Sequence, residues 1–112
     1  MTTLLVHFRR PEGGPEAAAA FEQAYAATHL PLVVETPGLR ALRLHRVTEA
    51  LGGTTDLLLV AEMDFDDRAA LDVGLASEAM RAAGRNLRTI APGLATLLII
   101  EDAPELAPAG WR

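Results

Sequence analysis

Runs of large apolar and β-branched residues alternate along this chain with breaks that contain glycine or proline. Four of these runs have the length and composition of strands, over residues 2–8, 38–48, 56–65 and 95–101. Two alanine-rich stretches have the spacing of helices. The first covers residues 16–29, and the second runs from Asp66 or Asp67 to about Arg88. The pattern therefore predicts six elements in the order βαββαβ.

This order is typical of the ferredoxin-like α+β fold, in which two helices cover one face of an antiparallel four-stranded sheet. Gly52-Gly53 separates strands two and three and predicts an antiparallel hairpin with a long loop. Pro31 disfavours helical geometry at the residue before it, so we expect the first helix to end close to His29. Gly74 and Ser77 mark a point at which the second helix can break and restart. We assign residues 1–102 to one domain and 103–112 to a proline- and alanine-rich tail.

The predicted sheet carries apolar residues on both faces. On strand three, Leu59 points to one side while Leu58 and Val60 point to the other. A bare antiparallel face in water normally carries polar residues. Burying the five or six aliphatic side chains of the second face represents on the order of 10 kcal/mol, comparable to the ~4–15 kcal/mol cost of association. We therefore expect a homodimer in which a second copy covers this face. The alternative is cover by the tail, with Leu106 and Trp111.

Composition excludes several classes of function. The chain has 112 residues, is half apolar, carries a net charge of −5 and contains no cysteine. The lack of cysteine excludes a disulfide framework, a thiolate metal site and a cysteine nucleophile. The ten basic residues are all arginine and are scattered, which argues against nucleic-acid binding. No apolar run approaches the ~20 residues of a membrane helix, and no basic region precedes the first apolar run. We therefore expect a soluble, cytoplasmic protein with no membrane partner.

The region around His29 combines titratable side chains with a helix end. Tyr25 lies one turn before His29 on the same helix face. Because a helix C-terminus favours protonated imidazole, we expect the pKa of His29 to lie near or above its usual value of about 6.5. His29 can then act as a catalytic acid or base, with Tyr25 orienting it or donating to a substrate oxygen. Alternatively, His29 only binds a helix carbonyl and Tyr25 is a half-buried core aromatic.

A second group of candidates lies on the predicted strands. His7 follows Leu5 on the alternate face of strand one, and Glu62 follows Val60 on strand three. A histidine and a carboxylate on neighbouring strands, at the mouth of an apolar cavity, can form a polarised pair. These four residues are our candidates for substrate binding. The alternative is that His7 and Glu62 lie in water at strand ends.

Other polar residues have simpler interpretations. Arg40, Arg43 and Arg46 on strand two are typical of an edge strand that charge protects from further pairing. No glycine-rich phosphate-binding loop is present, and the chain has no lysine. Three histidines without close spacing do not predict a metal site, and none lies in a haem-binding context. We therefore expect no cofactor and no metal.

The run Tyr25-x-x-x-His29-Leu30-Pro31-Leu32, followed by Pro37-Gly38-Leu39-Arg40 and the apolar third strand, resembles the EthD family of the dimeric α+β barrel superfamily. The resemblance extends to about Asp102. It implies a homodimer of ferredoxin-like subunits with a pocket between sheet and helices. Family members are linked to ether degradation alongside a cytochrome monooxygenase system, and relatives act without cofactor on aromatic or polyketide-like substrates. Because the shared motif includes His29, the resemblance favours a functional role for this histidine.

Two classes of function remain open. The first is a small cofactor-independent enzyme, or an accessory protein of oxidative catabolism, acting on a small hydrophobic or aromatic substrate. In this case the substrate lies in an apolar pocket and His29, helped by Tyr25, moves a proton. The second is a non-catalytic dimeric module that binds a small apolar ligand or a partner protein. The two classes differ in whether several titratable side chains converge on one cavity.

Overall fold

The computed structural model describes residues 1–111 and has the element order that the sequence predicts. The chain begins with β1 (Thr2–Arg9), α1 (Gly14–Ala24), a π-helical turn (Tyr25–His29) and α2 (Leu30–Val33). It continues with β2 (Ala41–Arg46), β3 (Leu57–Phe65), α3 (Arg68–Leu75), α4 (Glu78–Ile90) and β4 (Ala95–Glu101). A short 3₁₀ turn (Pro104–Leu106) lies in the tail. The predicted tail, 103–112, includes Arg112, which lies outside the described residues.

The four strands form one antiparallel sheet in the order β2-β3-β1-β4. The expected hairpin of β2 with β3 and the expected pairing of β1 with β3 are both confirmed. In this register Leu4 of β1 lies opposite Met63 of β3 and opposite Ile99 of β4. The architecture is therefore the ferredoxin-like α+β fold, with β2 and β4 as edge strands.

The core lies between the sheet and the helices. Leu4, Val6 and Phe8 of β1 and Ala61 and Met63 of β3 all point to this side and are buried. Their alternation with Leu5 and His7, which are only partly buried, follows the period of two that a strand imposes. The predicted facing of β1 and β3 is thus confirmed.

The first helix does not end near His29, so that prediction is wrong. The backbone N–H of Leu30 donates to the carbonyl of Tyr25, five residues earlier, as in a π-helix. Pro31 then lies in the first turn of α2, where a missing N–H costs little. Because the wide turn accommodates the proline, the helix continues to Val33 and His29 lies within it.

The break in the second helical region is confirmed. Asp67 caps α3 by accepting from the backbone N–H of Ala70 at 2.8 Å, and Ser77 caps α4 by accepting from Met80 at 3.2 Å. Gly74 lets α3 lie close to the sheet, because a Cβ there would be only 2.8 Å from Cε1 of Phe65. These local features place α4 across the sheet beside the π-helical turn.

The sheet face without helices is apolar on only half of its width. Near β4 it carries Leu5, Leu98 and Ile100, which are partly exposed. Near β2 it carries an ion-pair network in which Arg43 contacts both Glu62 and Asp64. The expectation of an apolar face throughout was therefore too broad, because β2 and the end of β3 place charges there.

The tail does not cover the open face. Leu106 and Trp111 are 81% and 73% exposed, so their side chains are not packed on the sheet. The alternative explanation of the apolar residues, cover by the tail alone, therefore has no support within residues 1–111.

Candidate active site

A small chamber lies between the helices and the sheet, and His29 forms part of its wall. Its volume is about 90 Å³. The remaining wall is formed by Tyr25 and apolar residues, among them Leu4, Val6 and Met80. The described structure thus places a titratable ring beside a sheltered apolar space.

Aromatic packing holds Tyr25 and His29 in place. The ring of Tyr25 lies 5.1 Å from that of Phe8, edge-on, and 5.1 Å from the His29 ring, tilted by 31°. Phe21 packs against both Phe8 and Tyr25. The four-residue spacing of Phe21, Tyr25 and His29 puts all three on the helix face that meets β1. The predicted proximity of Tyr25 and His29 is therefore confirmed.

A chain of hydrogen bonds fixes the tautomer of His29. The Thr28 hydroxyl donates to the Ala24 carbonyl at 2.7 Å and accepts from Nδ2 of Asn86 at 3.1 Å. This orients the Asn86 amide so that its Oδ1 lies 3.0 Å from Nδ1 of His29. Because an amide oxygen only accepts, Nδ1 carries the proton and Nε2 has a free lone pair. Nε2 makes no hydrogen bond to any residue from 1 to 111.

The pKa of His29 is lowered, contrary to the prediction. Burial in the apolar site lowers this pKa, and the hydrogen bond to Asn86 opposes the shift without reversing it. The prediction assumed a helix end at His29, but the helix continues to Val33, and His29 is only 4% exposed. His29 is therefore neutral at neutral pH and can act as a base.

The pKa of Tyr25 is shifted in the opposite direction from that of His29. Burial raises the pKa of its hydroxyl well above the usual value of 10.0. Tyr25 therefore remains a neutral phenol, which can donate a hydrogen bond to a ligand oxygen but does not serve as a phenolate base.

The strand candidates lie on the opposite face of the sheet from His29. Leu5, His7, Val60 and Glu62 alternate with the core residues of β1 and β3, and they point away from the helices. His7 lies opposite Val60, while Leu5 lies opposite Glu62. The structure therefore brings these four residues together as a patch on the open face and not around the chamber.

Glu62 has a different partner from the one predicted. Its Oε2 lies 2.6 Å from Nε2 of His45 on β2. Among residues 1–111, Glu62 forms no hydrogen bond with His7. The hydrogen bond from His45 and the nearby Arg43 guanidinium lower the pKa of Glu62. Asp64 is held in the same way, because Arg43 and Thr3 both donate to it and lower its pKa. Within this network Glu62 is ionised and paired with His45 and Arg43.

Sequence reasoning missed Asn86 and Thr28. Asn86 lies 57 residues after His29, among arginines that are typical of a solvated helix face. No local pattern in the sequence identifies Asn86 as the partner of His29. The two residues come together only because α4 packs on the π-helical turn. Within residues 1–111 no three His, Cys, Asp or Glu side chains come together as ligands for a metal ion.

The fold matches those of solved structures. An ethyl tert-butyl ether D (EthD) family protein from Bacillus halodurans superposes with a TM-score of 0.83 and 30% sequence identity, and the match covers 92% of this chain and 99% of that protein. The chain belongs to the EthD family. The resemblance seen in the sequence is therefore confirmed. No protein-family model and no curated protein sequence matches this EthD chain.

More distant structures share the fold of this EthD protein. A dimeric ferredoxin-like protein of unknown function from a Jannaschia species has 21% identity and a TM-score of 0.64, over 91% of this chain and all of that one. The cofactor-independent oxygenase SnoaB from Streptomyces nogalater has 20% identity and a TM-score of 0.64, over 98% and 97% of the two chains. Among the described residues, no helix has the length and apolar content needed to cross a membrane.

Proposed function

We propose that this EthD-family protein is a small enzyme that transfers a proton on a small hydrophobic substrate, with Nε2 of His29 as the base. The observation that carries the proposal is the hydrogen bond between Nδ1 of His29 and Oδ1 of Asn86. It assigns the proton to Nδ1 and leaves the other ring nitrogen for a molecule in the chamber. The apolar wall suits a ketone or an aromatic alcohol as substrate.

The residues of the chamber have complementary roles in such a reaction. Nε2 of His29 takes the proton from an acidic C–H or O–H group of the substrate. Asn86 then stabilises the imidazolium that forms, because its oxygen accepts from Nδ1 in both protonation states. The neutral Tyr25 hydroxyl donates to the substrate oxygen as negative charge develops there. Exclusion of water protects the resulting enolate or phenolate.

An oxidative role fits this chemistry. An enolate or phenolate is the electron-rich form of its parent compound, and it is the form that reacts most readily with dioxygen. The fold is shared with a cofactor-independent oxygenase, which supports this assignment. The proton-transfer step itself uses only groups of this chain.

The alternative is a module that binds an apolar ligand without reaction. Two titratable side chains, His29 and Tyr25, line the same chamber, and this convergence supports the enzyme. A lone histidine would have favoured simple binding. A cytoplasmic location stays a prediction from the cysteine-free sequence.

The test is catalysed deuterium exchange. A panel of small hydrophobic ketones in D₂O is followed by NMR, and the protein is expected to accelerate exchange of the α-protons of at least one member. His29→Gln keeps a polar side chain but lacks a base of suitable pKa, so we expect exchange to fall to background. His45→Gln is the matched control, because this histidine lies on the other sheet face and is 53% exposed at its side chain. Exchange that survives His29→Gln would show that another group is the base.

We further propose that the enzyme is a homodimer that buries the apolar half of the open sheet face. Leu98 and Ile100 are 41% and 38% exposed there. A protein of the same fold is described as dimeric, which supports the assignment. Sedimentation tests it: Leu98→Asp is expected to give folded monomer, whereas Leu51→Asp is the control, since Leu51 is 96% exposed. An unchanged Leu98→Asp dimer would place the interface elsewhere.

A further inference from the structure

A surface groove lies directly outside the chamber, between α4 and β4. Its volume is about 300 Å³, within the range typical of small-molecule sites. Gly84, Leu87 and Leu97 line both the groove and the chamber. The two spaces therefore adjoin at these three residues.

Gly84 lies at the point where the two spaces meet. A Cβ at this position would have a single neighbour within 4 Å, Nη1 of Arg88 at 3.9 Å. Gly74, by contrast, is required by packing, since its Cβ would be 2.8 Å from Phe65. Glycine is unfavourable inside a helix, and close packing does not explain it at position 84. The space that it leaves is available to a ligand.

Arg88 places a positive charge at this junction. Its guanidinium lies over Gly84, at the side of the groove, and makes no ion pair or hydrogen bond with residues 1–111. Neighbouring Arg85 is different, because it donates to Glu78 at 2.9 Å. A guanidinium without a carboxylate partner, beside an apolar groove, is suited to bind a carboxylate in a two-pronged arrangement.

From this arrangement we infer that the ligand is a small amphipathic acid. Its apolar body lies in the chamber and against Leu87 and Leu97, and its carboxylate binds Arg88. The inference rests on the proposed function for the identity of the chamber as the reaction site, and it adds the chemical class of the substrate. It also makes Gly84 the residue that limits the size of what enters.

The first experiment compares two probes of similar shape. Binding of 3-phenylpropionate and of 3-phenylpropan-1-ol is measured by NMR from the backbone amide shifts of Gly84 and Leu97. We expect the carboxylate to bind about fivefold more tightly than the alcohol, since the contact to Arg88 is partly exposed. Arg88→Gln is expected to remove this preference. Arg81→Gln is the matched control, because Arg81 lies two turns earlier on the same helix and outside the groove.

The second experiment closes the junction. Gly84→Leu is expected to weaken binding of both probes about tenfold, and Gly84→Ala is expected to have a smaller effect. Circular dichroism and the ring nitrogen shifts of His29 establish that the variants remain folded with the site intact.

The outcomes separate this inference from the proposed function. His29→Gln is expected to lose deuterium exchange but to keep the preference for the carboxylate. Equal binding of acid and alcohol to the unmodified protein would overturn the assignment of an acid. Absence of shifts at Gly84 and Leu97 up to the solubility limit, or unchanged binding in Gly84→Leu, would overturn the joined site.

Discussion

Asn86 is the residue whose replacement tests the site most directly. Asn86→Leu keeps the branched shape and the number of heavy atoms but removes both hydrogen bonds of the amide, to His29 and to Thr28. The imidazole then has no partner that holds the proton on Nδ1. We expect a mixture of tautomers, a further lowering of the pKa of His29 and slower deuterium exchange, because the bond to Asn86 normally raises that pKa.

The effect on stability is expected to be moderate. His29 is 4% exposed, so its Nδ1–H loses a partner in a site with little access to water. An unsatisfied buried donor of this kind costs about 1–2 kcal/mol. For a chain of this size the melting temperature then falls by roughly 4–10 °C. The fold is retained, because the apolar packing of α4 is unchanged.

The assay is ¹⁵N NMR of selectively labelled histidine. In the unmodified protein the shifts are expected to show a protonated Nδ1 and a bare Nε2 at His29. Asn86→Asp is a useful contrast, because the carboxylate still accepts from Nδ1 but its charge raises the pKa of His29 and moves the pH profile of exchange upward. Thr89→Val is the control, since Thr89 is exposed and, among the described residues, its hydroxyl hydrogen-bonds to the carbonyl of Arg85 alone. A protonated Nε2 in the unmodified protein would refute the reasoning.

Three further predictions concern stability. The folded-state pKa of His29 is lowered, so the unfolded chain takes up a proton first as the pH falls. The free energy of unfolding should therefore decrease from about pH 6.5 down to the folded-state pKa. Urea titrations of His29→Gln should lack this decrease. An equal dependence of unfolding free energy on pH in both proteins would contradict this prediction. Gly74→Ala should destabilise the fold by about 1–3 kcal/mol, because its Cβ would overlap Phe65. Gly84→Ala should instead stabilise it by about 0.5–1 kcal/mol, and thermal melts that rank the two variants in reverse would contradict the packing described for α3 and α4.

Local patterns in the sequence were sufficient for the fold. The period of two in β1 and β3 assigned the buried face, since Leu4 and Met63 face the helices while Leu5 does not. Asp67 and Ser77 marked the starts of α3 and α4 correctly. β2 covers Ala41–Arg46 instead of 38–48. It begins later than expected because Gly38 has a positive φ of 81° in the preceding turn.

The chemistry of the site depended on contacts that are not local. One misplaced helix end reversed the expected direction of the pKa shift of His29, since burial dominates once the helix continues past it. Asn86 reaches His29 from another helix, and no spacing rule connects them. Tyr25 was correctly placed beside His29 because their spacing is that of one helical turn.

The charged residues of the open face also depend on contacts between strands, which local sequence patterns do not predict. Arg43 was correctly expected on an edge strand, but its partner Asp64 belongs to the neighbouring strand and is buried beneath it. The alternation of residues in β3 placed Glu62 on this face, but it gave no sign that Glu62 and Asp64 would pair with His45 and Arg43 of β2. An interface on the apolar half of this face therefore borders a charged half.

The exposed position of β4 has a practical consequence for the isolated protein. β4 ends the sheet, and its residues from Leu97 to Ile100 are 38–52% exposed on both sides. Within residues 1–111 its outer backbone amides and carbonyls face no neighbouring strand, and no proline or lysine interrupts it. Concentrated preparations are therefore expected to assemble by edge-to-edge strand addition.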